Sequence, residues 1–331
     1  MAETIKVGIP RALLWFKYGP AWQAFFLELG AEVVLSPPTN KELLDRAVLL
    51  SVDEACLPAK LVYGHVEWLK GRCDFIFLPR VVSEKPWTKM CPKHMGVADM
   101  VKEGLEGLPP LISPIVDLSR GKRGALLKAA WEAGRTITRN KRAIKGALRS
   151  ALEVYNRYRS LLNKGLDAFS AARASLKGEE PEPPPQVGEA TVAVIGHEYN
   201  VYDKFVNLEL IDHLRGLGVR VLTAESVPDE VCEAVSDASL RKPLYWSYEK
   251  HIMGAAYYLA ERGKVDGVII LTAFGCGPDS LVTEIMVRDL KRMGVPVLYL
   301  TFDEHSGEAG ILTRVEAFVD LLIRRKRVVV V

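Results

Sequence analysis

The sequence predicts an α/β protein made of two parallel-sheet lobes that a helical segment joins. Short apolar runs alternate with helical patterns toward both ends of the chain, which is typical of parallel sheets covered by helices on both faces. Residues 121–178, between these ends, contain no strand pattern. We therefore predict lobe one over 1–120, a helical segment with a linker over 121–189, and lobe two over 190–331.

The beginnings of the two lobes repeat one pattern. A strand that ends near a glycine leads into a helix, and a second glycine ends that helix before the next strand. Gly8 and Gly30 are 22 residues apart, and so are Gly196 and Gly218. The predicted strand–helix–strand segments are 5–9, 20–29 and 31–36 in lobe one, and 191–196, 205–217 and 219–224 in lobe two.

The later strands repeat as well. The apolar runs 73–82 and 265–274 each carry an Asp in second position, and the runs 108–117 and 295–303 each end in Asp. Each half thus has the pattern β-α-β-α-β-α-β. We interpret the halves as two Rossmann-like or flavodoxin-like lobes related by internal duplication.

The segment between the lobes is strongly basic. Residues 121–178 contain 14 Lys or Arg against 3 Asp or Glu, and the pattern predicts a long helix broken at Gly146 or Gly165. The proline-rich stretch 179–189 is typical of a stiff linker. A solvated helix face is favoured over a surface that docks an acidic redox partner or an acyl-CoA phosphate.

Composition narrows the function. The net charge is only +3, which disfavours a dedicated nucleic-acid binder. No apolar stretch is long enough for a membrane span, and the N-terminal residues lack a signal-peptide pattern, so a cytoplasmic location is expected. Neither GxGxxG nor GxxxxGK[ST] occurs, which disfavours ATP hydrolysis by this chain.

Three of the five cysteines are candidate metal ligands. Cys56, Cys91 and Cys276 lie in proline- or glycine-containing turns at predicted strand or helix ends, where an open parallel sheet binds its ligands. Thiolates there suit an iron–sulfur cluster, zinc or copper(I). Cys73 opens a strand, and Cys232 lies in a short polar segment, so we interpret both as packing residues.

Other residues at the same predicted sheet edge could surround a metal. Helix capping is the equally weighted alternative, with Asp303 and Ser306 as its candidates. If the metal is zinc and the protein is a non-redox binder or scaffold, His94 or His305 is a candidate fourth ligand. The candidates to surround the site are His197, Asn200, Gly275, Gly277, Glu304 and His305.

The segments VDEACLPAK, TKMCPK, FGCGPDS, GHEYNVYDKFVN and TFDEHSGEAG resemble a known family. It comprises proteins related to the 2-hydroxyacyl-CoA dehydratase activases and to the dehydratase subunits, from anaerobic bacteria and archaea. The resemblance implies two Rossmann-like lobes with a [4Fe-4S] cluster on Cys56, Cys91 and Cys276. It leaves the fourth iron site open to water, substrate or sulfide.

The resemblance also implies a role and partners. The cluster would accept low-potential electrons from an ATP-dependent activase, and the chain would be a reductase or dehydratase component acting on a small molecule or an acyl-CoA. Relatives called double-cubane cluster proteins use six cysteines, so a double cubane here would require a homodimer.

Overall fold

The computed structural model describes residues 4–183 and 187–329, and the chain divides into two compact units. Both contain parallel sheets flanked by helices, which confirms the predicted α/β class. Within the described residues, the first unit comprises 4–160, 168–181 and 245–247, and the second comprises 161–167, 182–183, 187–244 and 248–329. Most of the basic helical segment therefore belongs to the first unit.

The elements of the first unit alternate as the sequence predicts. Its strands are β1 (Lys6–Ile9), β2 (Glu32–Leu35), β3 (Phe75–Phe77), β4 (Arg80–Ser83), β5 (Leu111–Ile112) and β6 (Ile115–Asp117). Its helices are α1 (Trp15–Glu28), α2 (Lys41–Leu50), α3 (Leu57–Leu69), α4 (Pro92–Gly104), α5 (Lys122–Gly134), most of α6 (Lys141–Asn163) and α7 (Ala168–Lys177).

Two prolines divide the later strands of this sheet. The four-stranded part has the order β2-β1-β3-β5, and β4 pairs with β6. Pro79 and Pro114 lack an N–H and interrupt the runs that the sequence predicts as single strands. Hydrogen bonding continues across the interruption, because the Leu78 N–H donates to the Ile112 carbonyl at 3.0 Å.

The second unit has a matching parallel sheet. Its order is β10-β9-β7-β8. Read from the β8 edge, this is the second, first, third and fourth strand of the sheet along the chain, which is also the order of the four-stranded sheet in the first unit. The strands are β7 (Ala190–Gly196), β8 (Val219–Thr223), β9 (Gly267–Ala273) and β10 (Val297–Phe302). The helices are α8 (Glu198–Val201), α9 (Leu210–Gly216), α10 (Asp229–Ser239), α11 (Ser247–Glu261), α12 (Gly277–Arg292) and α13 (Glu308–Val329).

Two aspartates form the same connection in both units. The Asp74 carboxylate accepts a hydrogen bond from the Lys6 N–H at 2.7 Å, and the Asp74 N–H donates to the Lys6 carbonyl at 2.9 Å. Asp266 makes the same pair of bonds with Thr191, both at 2.7 Å. Each aspartate thus joins the start of the third strand to the start of the first.

One helix prediction is wrong in detail. The helix expected over 205–217 begins only at Leu210, because Leu208 and Glu209 have left-handed backbone angles, with φ of 56° and 54°. In the basic segment, the predicted break lies at Gly165, whose φ is +88°, and α6 runs through Gly146 without interruption.

None of the described helices combines the length and the hydropathy needed to span a lipid bilayer.

A tyrosine compensates for a proline inside α1. Pro20 has no N–H to donate to the Phe16 carbonyl four residues earlier. The fully buried Tyr158 of α6 donates its hydroxyl to that carbonyl at 2.6 Å. This bond attaches the basic helix to the core of the first unit.

We expect Tyr158→Phe to lower the free energy of unfolding by about 1–2 kcal/mol, because it leaves a buried carbonyl without a donor. Pro20→Ala supplies the missing N–H, so Tyr158→Phe should cost less in that background. Denaturant unfolding of the four proteins measures the coupling. Equal losses in both backgrounds would contradict the assigned role.

His65 is a buried histidine held by two hydroxyls. Its Nδ1 lies 2.8 Å from Ser36 Oγ, and its Nε2 lies 3.1 Å from Thr39 Oγ1. Burial, and then the charge of Arg11, lowers the pKa of His65 to about 3. The imidazole is therefore neutral in the folded protein at physiological pH.

This histidine should make the protein sensitive to acid. Unfolded His65 takes up a proton below about pH 6.5 and folded His65 does not, so stability should fall by about 1.4 kcal/mol per pH unit from there toward pH 3. Urea unfolding between about pH 7 and 5 should show a shallower loss in His65→Gln than in the wild type. Parallel losses in the two proteins would refute this assignment.

Candidate metal centre

Each of the three candidate cysteines occupies the same local position. Cys56, Cys91 and Cys276 are the N-cap residues of α3, α4 and α12, and each is followed by a proline in the first two helical positions. Proline suits a helix start because its missing N–H would have no partner inside the helix. A helix N-terminus favours negative charge, and hence a thiolate, at the capping position.

The cysteines are divided between the units. Cys56 and Cys91 belong to the first unit and are partly exposed, and Cys276 belongs to the second and is buried. Cys91 and Cys276 hold comparable positions. Cys276 precedes the helix that follows β9, the third strand of its sheet, and Cys91 precedes the helix that follows β4, the strand that comes after β3 and Pro79. The sequence predicted a helix start for Cys56 only and turns after strands for the other two.

The remaining cysteines are packing residues. Cys73 donates its thiol to the Leu69 carbonyl at 3.4 Å, and a β-carbon on Gly8 would lie 2.6 Å from its sulfur. Burial raises the pKa of the Cys73 thiol. Cys232 is fully buried in the core beneath α11, where its backbone carbonyl packs against Gly254.

A buried group of polar side chains surrounds Cys276 in the second unit. One donor atom each from His197, Cys276 and Asp279 lies within 4.8 Å of the others. His197 follows the end of β7, and Cys276 and Asp279 lie at the start of α12, just after β9. The carboxyl ends of two neighbouring parallel strands thus bring these side chains together.

His197 lies between two buried carboxylates. Its Nδ1 is 3.2 Å from Asp279 Oδ2, and its Nε2 is 3.6 Å from Glu249 Oε1. Burial by itself lowers the pKa of His197, but the negative charges of Asp279 and Glu249 beside its two nitrogens outweigh it, so the pKa lies well above its ordinary value. Tyr199 stacks on the imidazole, and the edge of Tyr248 contacts it.

Two helix starts favour the negative charges of this group. Asp279 lies in the first turn of α12 and Glu249 in the first turn of α11, where the helix dipole stabilises a carboxylate. Thr283 follows Asp279 by one turn on the same face of α12. Its Oγ1 has no hydrogen-bond partner among the described residues, and neither has either amide atom of the buried Asn200.

Three further residues that the sequence predicted near a metal lie close in sequence to Cys276 or Cys91. Gly275 has a left-handed backbone, with φ of 77°, and turns the chain from β9 toward Cys276. A β-carbon on Gly277 would meet open space within the described structure. His94 is buried one turn after Cys91 and lines a largely apolar space with Trp22.

Asp303 and Ser306 bond within the turn before α13, and neither bonds to the first turn of that helix in the described contacts. The Asp303 carboxylate accepts hydrogen bonds from the His305 N–H and the Ser306 hydroxyl, both at 2.9 Å, and the Asp303 N–H donates to Ser306 Oγ. His305 is exposed in this turn, and Glu304 is partly exposed. The structure therefore assigns Asp303 and Ser306 a role in shaping the turn.

Sequence reasoning missed both carboxylates beside His197. Asp279 follows Cys276 by three residues within FGCGPDS, so an acid in the first turn of a predicted helix was a usable signal. Glu249 carries no comparable signal, because only the packing of α11 against the sheet brings it to His197.

The fold and site define a class of protein: a two-unit parallel α/β chain with cysteines at helix starts beside the strand ends. A family model described as CoA enzyme activase uncharacterised domain matches residues 6–227, about two thirds of the chain. A second, 2-hydroxyglutaryl-CoA dehydratase, D-component, matches residues 204–322. No curated protein matches the chain.

The chain belongs to the CoA enzyme activase uncharacterised domain family, within the proteins related to the 2-hydroxyacyl-CoA dehydratases and their activases. Cys56, Cys91 and His197 lie in the part that matches the first model. Cys276 and Asp279 lie in the part that matches the dehydratase component.

We expect His197→Ala to lower the free energy of unfolding of chelator-treated protein by about 3 kcal/mol, because two buried carboxylates lose their only described cationic neighbour. Adding Asp279→Asn should recover part of that loss. Denaturant unfolding of both variants measures the effect.

His251 provides a matched control. It is similarly buried, but its partner Asp229, 3.4 Å away, reaches solvent. Adding Asp229→Asn to His251→Ala should therefore recover little. The charge argument for His197 fails if its pair of variants behaves like this control pair.

Proposed function

We propose that this protein is an iron–sulfur redox protein of the 2-hydroxyacyl-CoA dehydratase superfamily. Cys56, Cys91 and Cys276 would hold a [4Fe-4S] cluster in the cleft between the lobes, and the cluster would accept low-potential electrons from an ATP-dependent activase. The main support is that all three cysteines occupy the N-cap position of a helix with a proline in its first two residues.

The chemistry of these donors fits the group. Thiolates are the usual ligands of iron–sulfur clusters, and the helix N-terminus beside each sulfur favours the negative charge of a thiolate-bound cluster. When bound, the cluster would supply one-electron transfer, with one iron left open to substrate, water or sulfide. His197 and Asn200, and on the last loop Glu304 and His305, are the polar residues we propose near it.

Two observations support the role of electron acceptor. The chain contains neither GxGxxG nor GxxxxGK[ST], so ATP hydrolysis would belong to a partner. The match to a CoA enzyme activase domain supports an activase as that partner. A small molecule or an acyl-CoA would be the substrate, in the reducing cytoplasm of an anaerobic organism.

A non-redox binding or scaffold protein with a structural zinc is the alternative. One observation favours it: buried histidines accompany two of the cysteines, His94 one turn after Cys91 and His197 beside Cys276. A double cubane shared across a homodimer would be a further variant of the cluster.

We also propose that the two units descend from one duplicated flavodoxin-like lobe. Supporting this are the common strand order, the equivalent bonds of Asp74 and Asp266, and the comparable positions of Cys91 and Cys276. The proposed boundaries remain 1–120, 121–189 and 190–331.

Anaerobic purification should yield a coloured protein with about four iron and four sulfide per chain, and dithionite should produce an electron paramagnetic resonance signal. Alanine at Cys56, Cys91 or Cys276 should abolish or strongly reduce iron and sulfide. Cys73→Ala and Cys232→Ala serve as matched controls and should retain both. A colourless protein with one zinc per chain would refute the cluster and support the alternative.

A further inference from the structure

The group around Cys276 offers a second kind of metal site. Its donors are a thiol sulfur, an imidazole nitrogen and a carboxylate oxygen, all from the second unit. Sulfur, nitrogen and oxygen donors together suit borderline divalent ions such as Zn²⁺, Co²⁺ and Fe²⁺. His197 and Asp279 are within 2% of complete burial, and Cys276 is 9% exposed, so bulk water scarcely reaches the donors.

Two buried carboxylates of this group share one imidazole. Asp279 and Glu249 are 1% and 3% exposed and face the same imidazole. The two carboxylates lie 3.2 and 3.6 Å from the two nitrogens of the one imidazole between them. Burying carboxylates is costly unless they are paired, hydrogen-bonded or bound to a metal, so a cation beside these oxygens would lower that cost.

Unused hydrogen-bonding capacity supports the same conclusion. Neither oxygen of Asp279 accepts a hydrogen bond from any described residue, although one lies at ion-pair distance from His197. Buried carboxylates normally accept several hydrogen bonds or bind a metal. A carboxylate oxygen of Asp279 lies within 4.8 Å of a His197 nitrogen and of the Cys276 sulfur, so the three atoms are placed to share one ion.

We propose that Cys276 Sγ, His197 Nδ1 and a carboxylate oxygen of Asp279 bind one divalent transition-metal ion within the second unit, without Cys56 or Cys91. His197 Nε2 faces Glu249 at 3.6 Å, so that carboxylate orients the imidazole as carboxylates do behind metal-bound histidines. Metal–ligand bonds of about 2.0–2.3 Å place tetrahedral donors roughly 3.5 Å apart, so binding draws the group slightly closer.

This site shares Cys276 with the proposed cluster, so a chain holds one or the other. The single ion would bind to chains in which the cluster is absent or not yet assembled. Because the site needs no residue of the first unit, it does not rest on the proposed function.

The test uses the full chain carrying Cys56→Ser and Cys91→Ser, prepared metal-free under anaerobic conditions and titrated with Co²⁺. One equivalent should produce the visible bands of tetrahedral Co²⁺ and a sulfur-to-cobalt charge-transfer band, and Zn²⁺ should displace both. Glu249→Gln should weaken Co²⁺ binding by about tenfold to a hundredfold, and His197→Gln or Asp279→Asn should weaken it further.

Cys276→Ser, added to the same chain, should remove the charge-transfer band with little change in side-chain shape, even if the His197 or Asp279 variant does not fold. His213→Gln, which replaces an imidazole of the second unit that pairs with Glu316 at 3.3 Å, is the control and should leave the affinity unchanged. The proposal would be overturned if no Co²⁺ bands appear, or if the sulfur-to-cobalt charge-transfer band survives Cys276→Ser. Iron and sulfide analysis of the wild type tests the cluster separately, so either proposal can fail alone.

Discussion

In a parallel sheet every strand ends at the same edge, and the helix that follows a strand begins there. The positions of the candidate metal ligands depend largely on this constraint. Cys91 and Cys276 occupy the N-cap positions of the helices that follow β4 and β9, and His197 follows β7 of the second sheet. The edge of the second sheet therefore receives a thiol, an imidazole and a helix N-terminus together, and in the first unit the Cys91 thiol lies at a helix start after a strand.

The electrostatics of the second unit follow from the same geometry. Asp279 and Glu249 are each placed in the first turn of a helix, which makes it less costly to bury a carboxylate. His197 lies between them, and its raised pKa reflects their charge rather than its burial. Two buried carboxylates therefore face one imidazole next to the Cys276 thiol.

The sequence predicted much of this architecture because it depends on short-range patterns. Alternating strands and helices, the Asp of each third strand and the proline after Cys56 can all be seen in local spacing. Local patterns are less decisive for single positions. Of the two glycines where a break was predicted, Gly146 stays inside α6, because a glycine lowers helix stability by only about 1 kcal/mol, and the break lies at Gly165. The late start of α9 was missed, because no residue type signals the left-handed angles of Leu208 and Glu209.

By itself, the sequence determined the α/β class, the repeated strand pattern and which cysteines lie in turns, since strand and helix periodicity is written residue by residue. Only the tertiary structure decided that Cys276 shares a buried group with His197 and Asp279, and that Glu249 stands behind the imidazole. These residues lie on separate strands and helices, and their approach depends on which strands are neighbours in the sheet. No local spacing encodes that order; it is decided when β7 pairs with β9 and buries both strand ends together.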